Sequence, residues 1–186
     1  MIFNKPKFWD FSKPNLLSYL LLPFTIIIHL NNFFQSLKIP RKNKKIISIC
    51  IGNIYLGGTG KTPTAIEIFN IFKKLNYKVA IGKKFYSSQN DERMMLQKNS
   101  NLITDNSRKE ILKKAIKNNN DIIVFDDGLQ NKSVYYDLKI ICFDSSSWIG
   151  NGLLIPSGPL RENLNSLKNY DCVILKDNLK NNLRIK

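Results

Sequence analysis

The sequence predicts an α/β protein built on a mostly parallel sheet with helices on both faces. Two observations support this prediction. Short, nearly continuous apolar runs that fit buried strands recur along the chain, and they alternate with segments whose apolar residues repeat at helical spacing. Strands that are apolar on both sides need a layer of helices on each face of their sheet. At 186 residues, the chain is long enough to bury one such core.

The predicted elements follow one another from residue 46 onwards. Helices are expected from Lys61, from Asp91 and from Ser107, where Ser107-Arg108-Lys109-Glu110 matches a capping box. The polar segment 82–90 and the Gly- and Pro-rich segment 150–159 are predicted loops. The apolar runs predict strands over 46–51, 78–81, 122–125, 139–143 and 172–175.

Residues 1–44 form a separate segment in this prediction, ahead of an α/β lobe over 45–186. Residues 16–30 are mostly apolar and contain Pro23, whereas a spanning helix needs about 20 apolar residues. Phe8, Trp9 and several lysines flank the run. We therefore favour a membrane-associated helix that lies in or dips into one leaflet, with its lysines on anionic lipid. The alternative is a helix packed on the core of the domain.

Composition narrows the classes of partner. The net charge of +15 favours anionic partners such as phosphorylated ligands or membrane surfaces. Lys outnumbers Arg 24 to 5, and Arg is the better reader of bases, so we do not expect nucleic-acid binding. Cys50, Cys142 and Cys172 are far apart in apolar runs and predict buried free thiols. The single His29 argues against a His-based metal site.

The segment 45–63 carries the strongest functional signal. A predicted buried strand leads into Gly57-Gly58-Thr59-Gly60-Lys61-Thr62, and a helix begins at the last two residues. Glycines let backbone N–H groups turn inward, and the helix N-terminus adds partial positive charge. Such a loop cradles phosphates, with Lys61 on the outer phosphates and the Thr62 hydroxyl on Mg²⁺.

These residues predict a P-loop NTPase-like fold that binds Mg-ATP. Tyr55 stands where the strict P-loop pattern has its first glycine, and Gly57 and Gly58 are expected to supply the missing freedom. The alternative is a Gly-rich turn that merely joins a strand to a helix.

Two adjacent carboxylates follow the predicted strand 122–125. Asp126 and Asp127 repel each other at the edge of a sheet, and a cation relieves that repulsion. In P-loop enzymes an acid at this place holds Mg²⁺. We therefore predict that Asp126 and Asp127 share Mg²⁺ with Thr62. A solvated turn is the alternative, because Asp-Asp-Gly is also good turn chemistry.

Three segments carry a family resemblance. They are Gly52-Asn53 with Gly57-Gly58-Thr59-Gly60-Lys61-Thr62-Pro63, Asp126-Asp127-Gly128-Leu129-Gln130, and Gly152-Leu153-Leu154-Ile155-Pro156-Ser157-Gly158-Pro159-Leu160-Arg161-Glu162. Together and in this order they resemble the tetraacyldisaccharide 4'-kinase family, the lipid A kinases. The resemblance covers nearly the whole chain, and the N-terminal Phe-Trp pair and apolar helix add to it.

The resemblance implies transfer of the ATP γ-phosphoryl group to the 4'-hydroxyl of tetraacyldisaccharide 1-phosphate, giving lipid IV(A). It implies work at the cytoplasmic face of the bacterial inner membrane, with no obligate protein partner. Asn90-Asp91-Glu92-Arg93 matches the family's Gly-Asp-Glu-Pro segment, so Asp91 is implied as the catalytic base beside Lys61. Spacing alone would make Asp91 an ordinary acid at a helix start. Gln130 and Arg161 are candidates for substrate binding.

Two departures from the family open alternatives. Asn131 stands where the family has His, and family members continue through a second α/β lobe that supplies a His partner for the catalytic Asp. We expect this chain to lack that lobe. The alternatives are a catalytically impaired remnant that binds nucleotide or lipid, and a P-loop NTPase that acts as a switch.

Overall fold

The computed structural model describes residues 5–85 and 90–176. The strands in this part of the chain form one six-stranded sheet. Each strand pairs with its neighbours in parallel, in the order β3-β2-β4-β1-β5-β6. The predicted α/β class and parallel sheet are confirmed. The strands are β1 (Ile47–Gly52), β2 (Val79–Lys84), β3 (Leu102–Asp105), β4 (Ile122–Asp126), β5 (Leu138–Asp144) and β6 (Cys172–Lys176).

Helices cover both faces of the sheet, as its apolar strands require. The α-helices are α1 (Leu16–Leu21), α2 (Ile26–Ser36), α3 (Lys61–Lys74), α4 (Asn90–Asn99) and α5 (Arg108–Lys117), and the 3₁₀ helices are Lys7–Asp10, Leu22–Thr25 and Leu164–Asn169. Helices α3 and α4 pack on one face, and α5 packs with the last 3₁₀ helix on the other.

The central strands build both layers of the core by alternation. In β1, Ile49 and Ile51 point towards α3, while Cys50 points towards the face covered by α5. In β4, Val124 and Phe125 divide in the same way. Because successive residues of β1 and β4 are buried on opposite sides of the sheet, these central strands are nearly unbroken apolar runs in the sequence.

The region after β2 differs from the prediction. The expected loop over 82–90 is wrong at its start, because β2 continues to Lys84 and pairs with β3 from Ile81↔Leu102 to Lys84↔Asp105. Residues 86–89 lie outside the described part of the chain. Strand β3 was not anticipated, since it is short and ends in two polar residues. Ser107 precedes α5 as expected, but its side chain makes no capping hydrogen bond.

Two of the three cysteines are buried as predicted. Cys50 and Cys142 lie in the two core layers, and burial raises the pKa of both thiols. Cys172 is exposed, so the prediction for this residue is wrong. It lies on β6, one of the two edge strands of the described sheet, where most side chains face solvent.

The N-terminal segment rests on the loop 150–161. The buried Trp9 indole Nε1 donates to the Pro156 carbonyl at 3.0 Å, and Asn151 N donates to the Trp9 carbonyl at 2.9 Å. From α2, Asn32 Nδ2 donates to the Arg161 carbonyl at 2.9 Å. The stretch Leu16–Ser36 is long and apolar enough to cross a membrane, and only 11% of its most apolar window is buried. One edge of this stretch therefore contacts the lobe while its apolar side chains remain exposed.

Gly150 tests the docking of the N-terminal segment. Its φ is +57°, and a Cβ there would lie 2.2 Å from the Trp9 carbonyl oxygen. Gly152 has φ of +75° but only Ile149 Cδ1 nearby, at 4.0 Å. In both Ala variants, a Cβ in the left-handed conformation lowers the free energy of unfolding by about 1 kcal/mol. In Gly150→Ala, the clash with Trp9 lowers it by a further ~2 kcal/mol. Urea unfolding measures the difference, and equal losses of stability in the two variants would contradict this account of the docking.

Candidate active site

The predicted phosphate-binding loop, residues 53–62, runs from the end of β1 into the first turn of α3. Asn53 is buried at the start of the loop, and its Nδ2 donates to the carbonyls of Tyr55 at 2.5 Å and Gly57 at 3.2 Å. Gly60 adopts a left-handed conformation with φ of +81°, which favours glycine because it has no Cβ. The Gly60 carbonyl accepts from the backbone N–H and the hydroxyl of Thr64. The loop is thereby held from both ends against the first turn of α3.

Tyr55, in place of the usual first glycine, anchors the loop. Its ring is buried against Leu154 and Leu160 of the loop 150–161. The Tyr55 hydroxyl donates to Asp10 Oδ1 at 2.8 Å and accepts from Lys5 Nζ at 2.7 Å. Tyr55, the residue that departs from the strict pattern, thus connects the phosphate-binding loop with the N-terminal segment.

The predicted acid of β4 meets the phosphate-binding loop directly. Strands β1 and β4 are neighbours with Ile51 paired to Asp126, so the carboxyl end of β4 lies beside the loop. Thr62 Oγ1 donates to Asp126 Oδ2 at 3.0 Å. Within the described ranges, the buried Asp126 Oδ1 and Thr59 Oγ1 have no hydrogen-bond partner. A carboxylate oxygen without a hydrogen-bond partner, close to a hydroxyl oxygen, provides oxygen ligands of the kind that a hard cation such as Mg²⁺ prefers.

Asp127, the second acid, lines the larger cavity and has other partners than Asp126. Its φ is +61°, its N–H donates to the Ile51 carbonyl at 2.8 Å, and its carbonyl accepts from Arg108 Nη2. Its carboxylate lies 3.5 Å from Arg161 Nη1. The two adjacent acids therefore have different surroundings, and Asp126 is the one that accepts a hydrogen bond from Thr62.

Sequence reasoning missed Lys83, which lies at the carboxyl end of β2. Its Nζ is 2.8 Å from Asp126 Oδ2 and also pairs with Glu92 of α4, while its side chain is 5% exposed. Burial acts to lower the pKa of Lys83, but the Asp126 and Glu92 carboxylates outweigh it and the pKa is raised. The ammonium therefore stays charged. A signal was available, since a strand continued through residue 84 would have carried this lysine to the sheet edge that bears Asp126.

Two neighbouring cavities adjoin these residues. The larger, about 680 Å³, opens over the phosphate-binding loop and is lined by Gly57, Gly58 and Lys61 with Glu92, Asp127, Asp144 and Arg161, among others. The smaller, about 280 Å³, lies between α2 and the segment after β4, and is lined by residues including Asn31, Gln35, Lys83, Arg108, Asp127, Gln130 and Arg161. Because Asp127 and Arg161 line both, the two cavities adjoin.

The remaining predicted residues lie at different places. Gln130 lines the smaller cavity and its Nε2 donates to the Asn53 carbonyl at 2.8 Å, which ties the segment after β4 to the phosphate-binding loop. Asp91 is exposed in the first turn of α4 and lines neither cavity, whereas its neighbour Glu92 lines the larger one. Geometry alone therefore favours Glu92 over Asp91 as the acid nearest the phosphate-binding loop.

Residues 15–186 match the family model described as tetraacyldisaccharide-1-P 4'-kinase. The chain belongs to this family. A tetraacyldisaccharide 4'-kinase of Pelagibacter ubique is 50% identical over 186 residues, which are the whole of this chain and 59% of the relative. That of Rickettsia akari is 34% identical over 181 residues, covering 86% of this chain and 54% of the relative. The chain thus spans little more than half the length of these tetraacyldisaccharide 4'-kinases.

A solved structure shares the fold. LpxK of Aquifex aeolicus, crystallised in complex with ATP, superposes with a TM-score of 0.73 and 21% identity. The match covers 87% of this chain and 59% of the LpxK chain. The predicted P-loop NTPase-like architecture is therefore confirmed as the fold of the tetraacyldisaccharide 4'-kinase family.

Asp144, which lines the larger cavity from the end of β5, predicts a pH dependence. The Ser146 hydroxyl and N–H donate to its carboxylate and Lys176 lies nearby, so the pKa of Asp144 is lowered from 3.8. A lowered folded-state pKa stabilises the fold above the unfolded value, and this stability is lost as pH falls through the folded value. We expect Asp144→Asn to lower the free energy of unfolding by about 1 kcal/mol at neutral pH. Below about pH 4, the free energies of unfolding of the variant and the wild type should approach each other.

The measurement is urea unfolding of the wild type and Asp144→Asn across this pH range. Glu67→Gln on α3 serves as control, because it removes an exposed acid that has no hydrogen bond or ion pair with the residues that the structure describes. A difference between wild type and Asp144→Asn that stays constant with pH would contradict the assignment.

Proposed function

We propose that this chain performs the phosphoryl transfer for which its family is named. It moves the γ-phosphoryl group of ATP to the 4'-hydroxyl of a tetraacyldisaccharide 1-phosphate and gives lipid IV(A). The observation that carries the proposal is the hydrogen bond from Thr62 to Asp126, because it joins the phosphate-binding loop to an acid in a single site. Membership of the family supports the substrate, and the ATP complex of the Aquifex LpxK supports the nucleotide.

The phosphates of ATP are assigned to the loop. Backbone N–H groups of Gly57, Gly58, Thr59 and Gly60 contact phosphate oxygens, and Lys61, which lines the larger cavity, neutralises the transferring group. Mg²⁺ is assigned to Thr62, Asp126 and Asp127, and when bound it neutralises charge on the phosphates. The chain itself acts by positioning and by electrostatic stabilisation of the transferring phosphoryl group.

The acceptor side is assigned to three further residues. Asp91 accepts the proton of the 4'-hydroxyl, which is supported by the family motif and by the place of its neighbour Glu92 in the larger cavity. Arg161 lines both cavities and supplies positive charge to the anionic sugar headgroup. Gln130 lines the smaller cavity and offers a polar contact to the disaccharide.

The lipid substrate is placed along the N-terminal segment. Asn31 and Gln35 of α2 line the smaller cavity, while apolar side chains of the same stretch are exposed, including Leu16, Leu20, Ile27 and Phe34. A helix of this kind binds at the membrane interface, where it holds the acyl chains while the headgroup enters the cavity. We place the protein at the cytoplasmic face of the inner membrane. Residues 1–44 bind the lipid surface, and residues 45–186 form the kinase lobe.

Phosphoryl transfer is tested with the purified chain, Mg²⁺, ATP labelled on its γ-phosphorus, and tetraacyldisaccharide 1-phosphate. We expect labelled lipid IV(A), and a loss of rate of about a thousandfold or more in Lys61→Ala and in Asp91→Ala. Lys74→Ala and Glu67→Ala, exposed on α3, are matched controls and should retain the rate. Transfer that persists in Lys61→Ala would contradict the site. Nucleotide binding without any transfer by the wild type would favour the impaired remnant.

Membrane binding is tested by sedimentation with vesicles that contain anionic lipid. Replacing Leu20 and Ile27 together by Asp places two charges on the exposed apolar stretch, and should weaken binding about tenfold or more. Ile71→Asp changes an exposed residue of α3 and should leave binding nearly unchanged. Equal binding of the wild type and the double variant would contradict the membrane role of this segment.

A further inference from the structure

Lys83 lies between two carboxylates at the centre of the site. Its ammonium contacts Asp126 Oδ2 at 2.8 Å and Glu92 on α4. The two partners differ, because the Asp126 side chain is fully buried while that of Glu92 is 51% exposed. The lysine therefore holds one carboxylate inside the protein and one at the wall of the larger cavity.

The same carboxylate carries the contact with the phosphate-binding loop. Asp126 Oδ2 accepts from both Thr62 Oγ1 and Lys83 Nζ, while Oδ1 has no partner within the described residues. A buried carboxylate needs a counter-charge, and Lys83 provides it. A divalent cation bound to Thr62 and Asp126 would lie within a few ångströms of the ammonium, and two cations so close repel strongly.

We propose that the Lys83 ammonium and a divalent cation compete for Asp126, with Glu92 as the second partner that retains the ammonium when the cation binds. This proposal rests on the assignment of Asp126 as a metal ligand in the proposed function. It makes Lys83 a positioning residue that acts through Asp126.

The competition has a consequence for the order of binding. Mg²⁺ alone must displace a buried ion pair, so it binds weakly. The negative charge of a triphosphate on the neighbouring loop favours Mg²⁺, so the cation binds together with the nucleotide. Glu92 lies on the wall of the larger cavity, and a lysine side chain has enough rotatable bonds to leave Asp126 while keeping this partner.

The first test is thermal unfolding against Mg²⁺ concentration, without nucleotide or lipid. Lys83→Met leaves the buried Asp126 without its counter-charge, so the variant should melt below the wild type and regain stability as Mg²⁺ is added. We expect the half-maximal Mg²⁺ concentration to fall about tenfold or more relative to the wild type. Lys83→Arg keeps the charge and should behave as the wild type.

The controls separate this effect from loss of a surface charge. Lys78→Met removes an exposed lysine just before β2 and should leave the Mg²⁺ response unchanged. Adding Asp126→Asn to Lys83→Met should abolish the rescue by Mg²⁺. A lysine with only a structural role would lower the melting temperature without any gain in response to Mg²⁺, and that result would overturn the proposal.

A second variant keeps the proposal falsifiable if Lys83→Met does not fold. Glu92→Gln alters a half-exposed side chain and removes the alternative partner of the ammonium. We expect its affinity for ATP with Mg²⁺ to fall several-fold while its affinity for ATP in EDTA stays unchanged. An equal fall in both conditions would overturn the proposal. Absence of ATP binding in every variant would instead contradict the proposed function. The Mg²⁺ titration without nucleotide would still test whether the Lys83 ammonium competes with the cation.

Discussion

The site depends on the parallel pairing of β1 with β4. This pairing brings Asp126, at the carboxyl end of β4, beside the loop that follows β1, and the hydrogen bond from Thr62 fixes the two together. A shift of one residue in β4 would turn the acid to the opposite face of the sheet, away from the loop. The apolar residues on both faces of these strands set the register, so the core of the fold determines the geometry of the site.

Local sequence patterns were enough to predict the loop and its acid. Gly57 to Thr62 and the run before Asp126 are contiguous, so each can be recognised from its own short stretch of sequence. Lys83 was missed because a charged residue after an apolar run is normally taken as the start of a loop, unless its partners are known. Those partners, Asp126 and Glu92, come from two other elements. Cys172 was misjudged because exposure on β6 depends on which elements cover the strand, and its own sequence does not determine that.

The N-terminal segment and the phosphate-binding loop share their contacts. Tyr55 joins the loop to Asp10 and Lys5, and the loop 150–161 supports both Tyr55 and Trp9. In the sequence, the apolar helix and the Gly- and Pro-rich loop are separate features of the family resemblance, whereas in the structure both pack against the buried Tyr55. In the proposed function, this union keeps the membrane-facing helix at a fixed place relative to the bound nucleotide.

A crystal structure of the chain with Mg²⁺ and a non-hydrolysable ATP analogue tests the central claim most directly. The account predicts that the triphosphate lies against residues 57–62, with the metal about 2.1 Å from Thr62 Oγ1 and next to Asp126. It also predicts that the Lys83 ammonium stays with Glu92 and has left Asp126. A triphosphate bound in the smaller cavity against α2, or a metal that contacts neither Thr62 nor Asp126, would contradict the account.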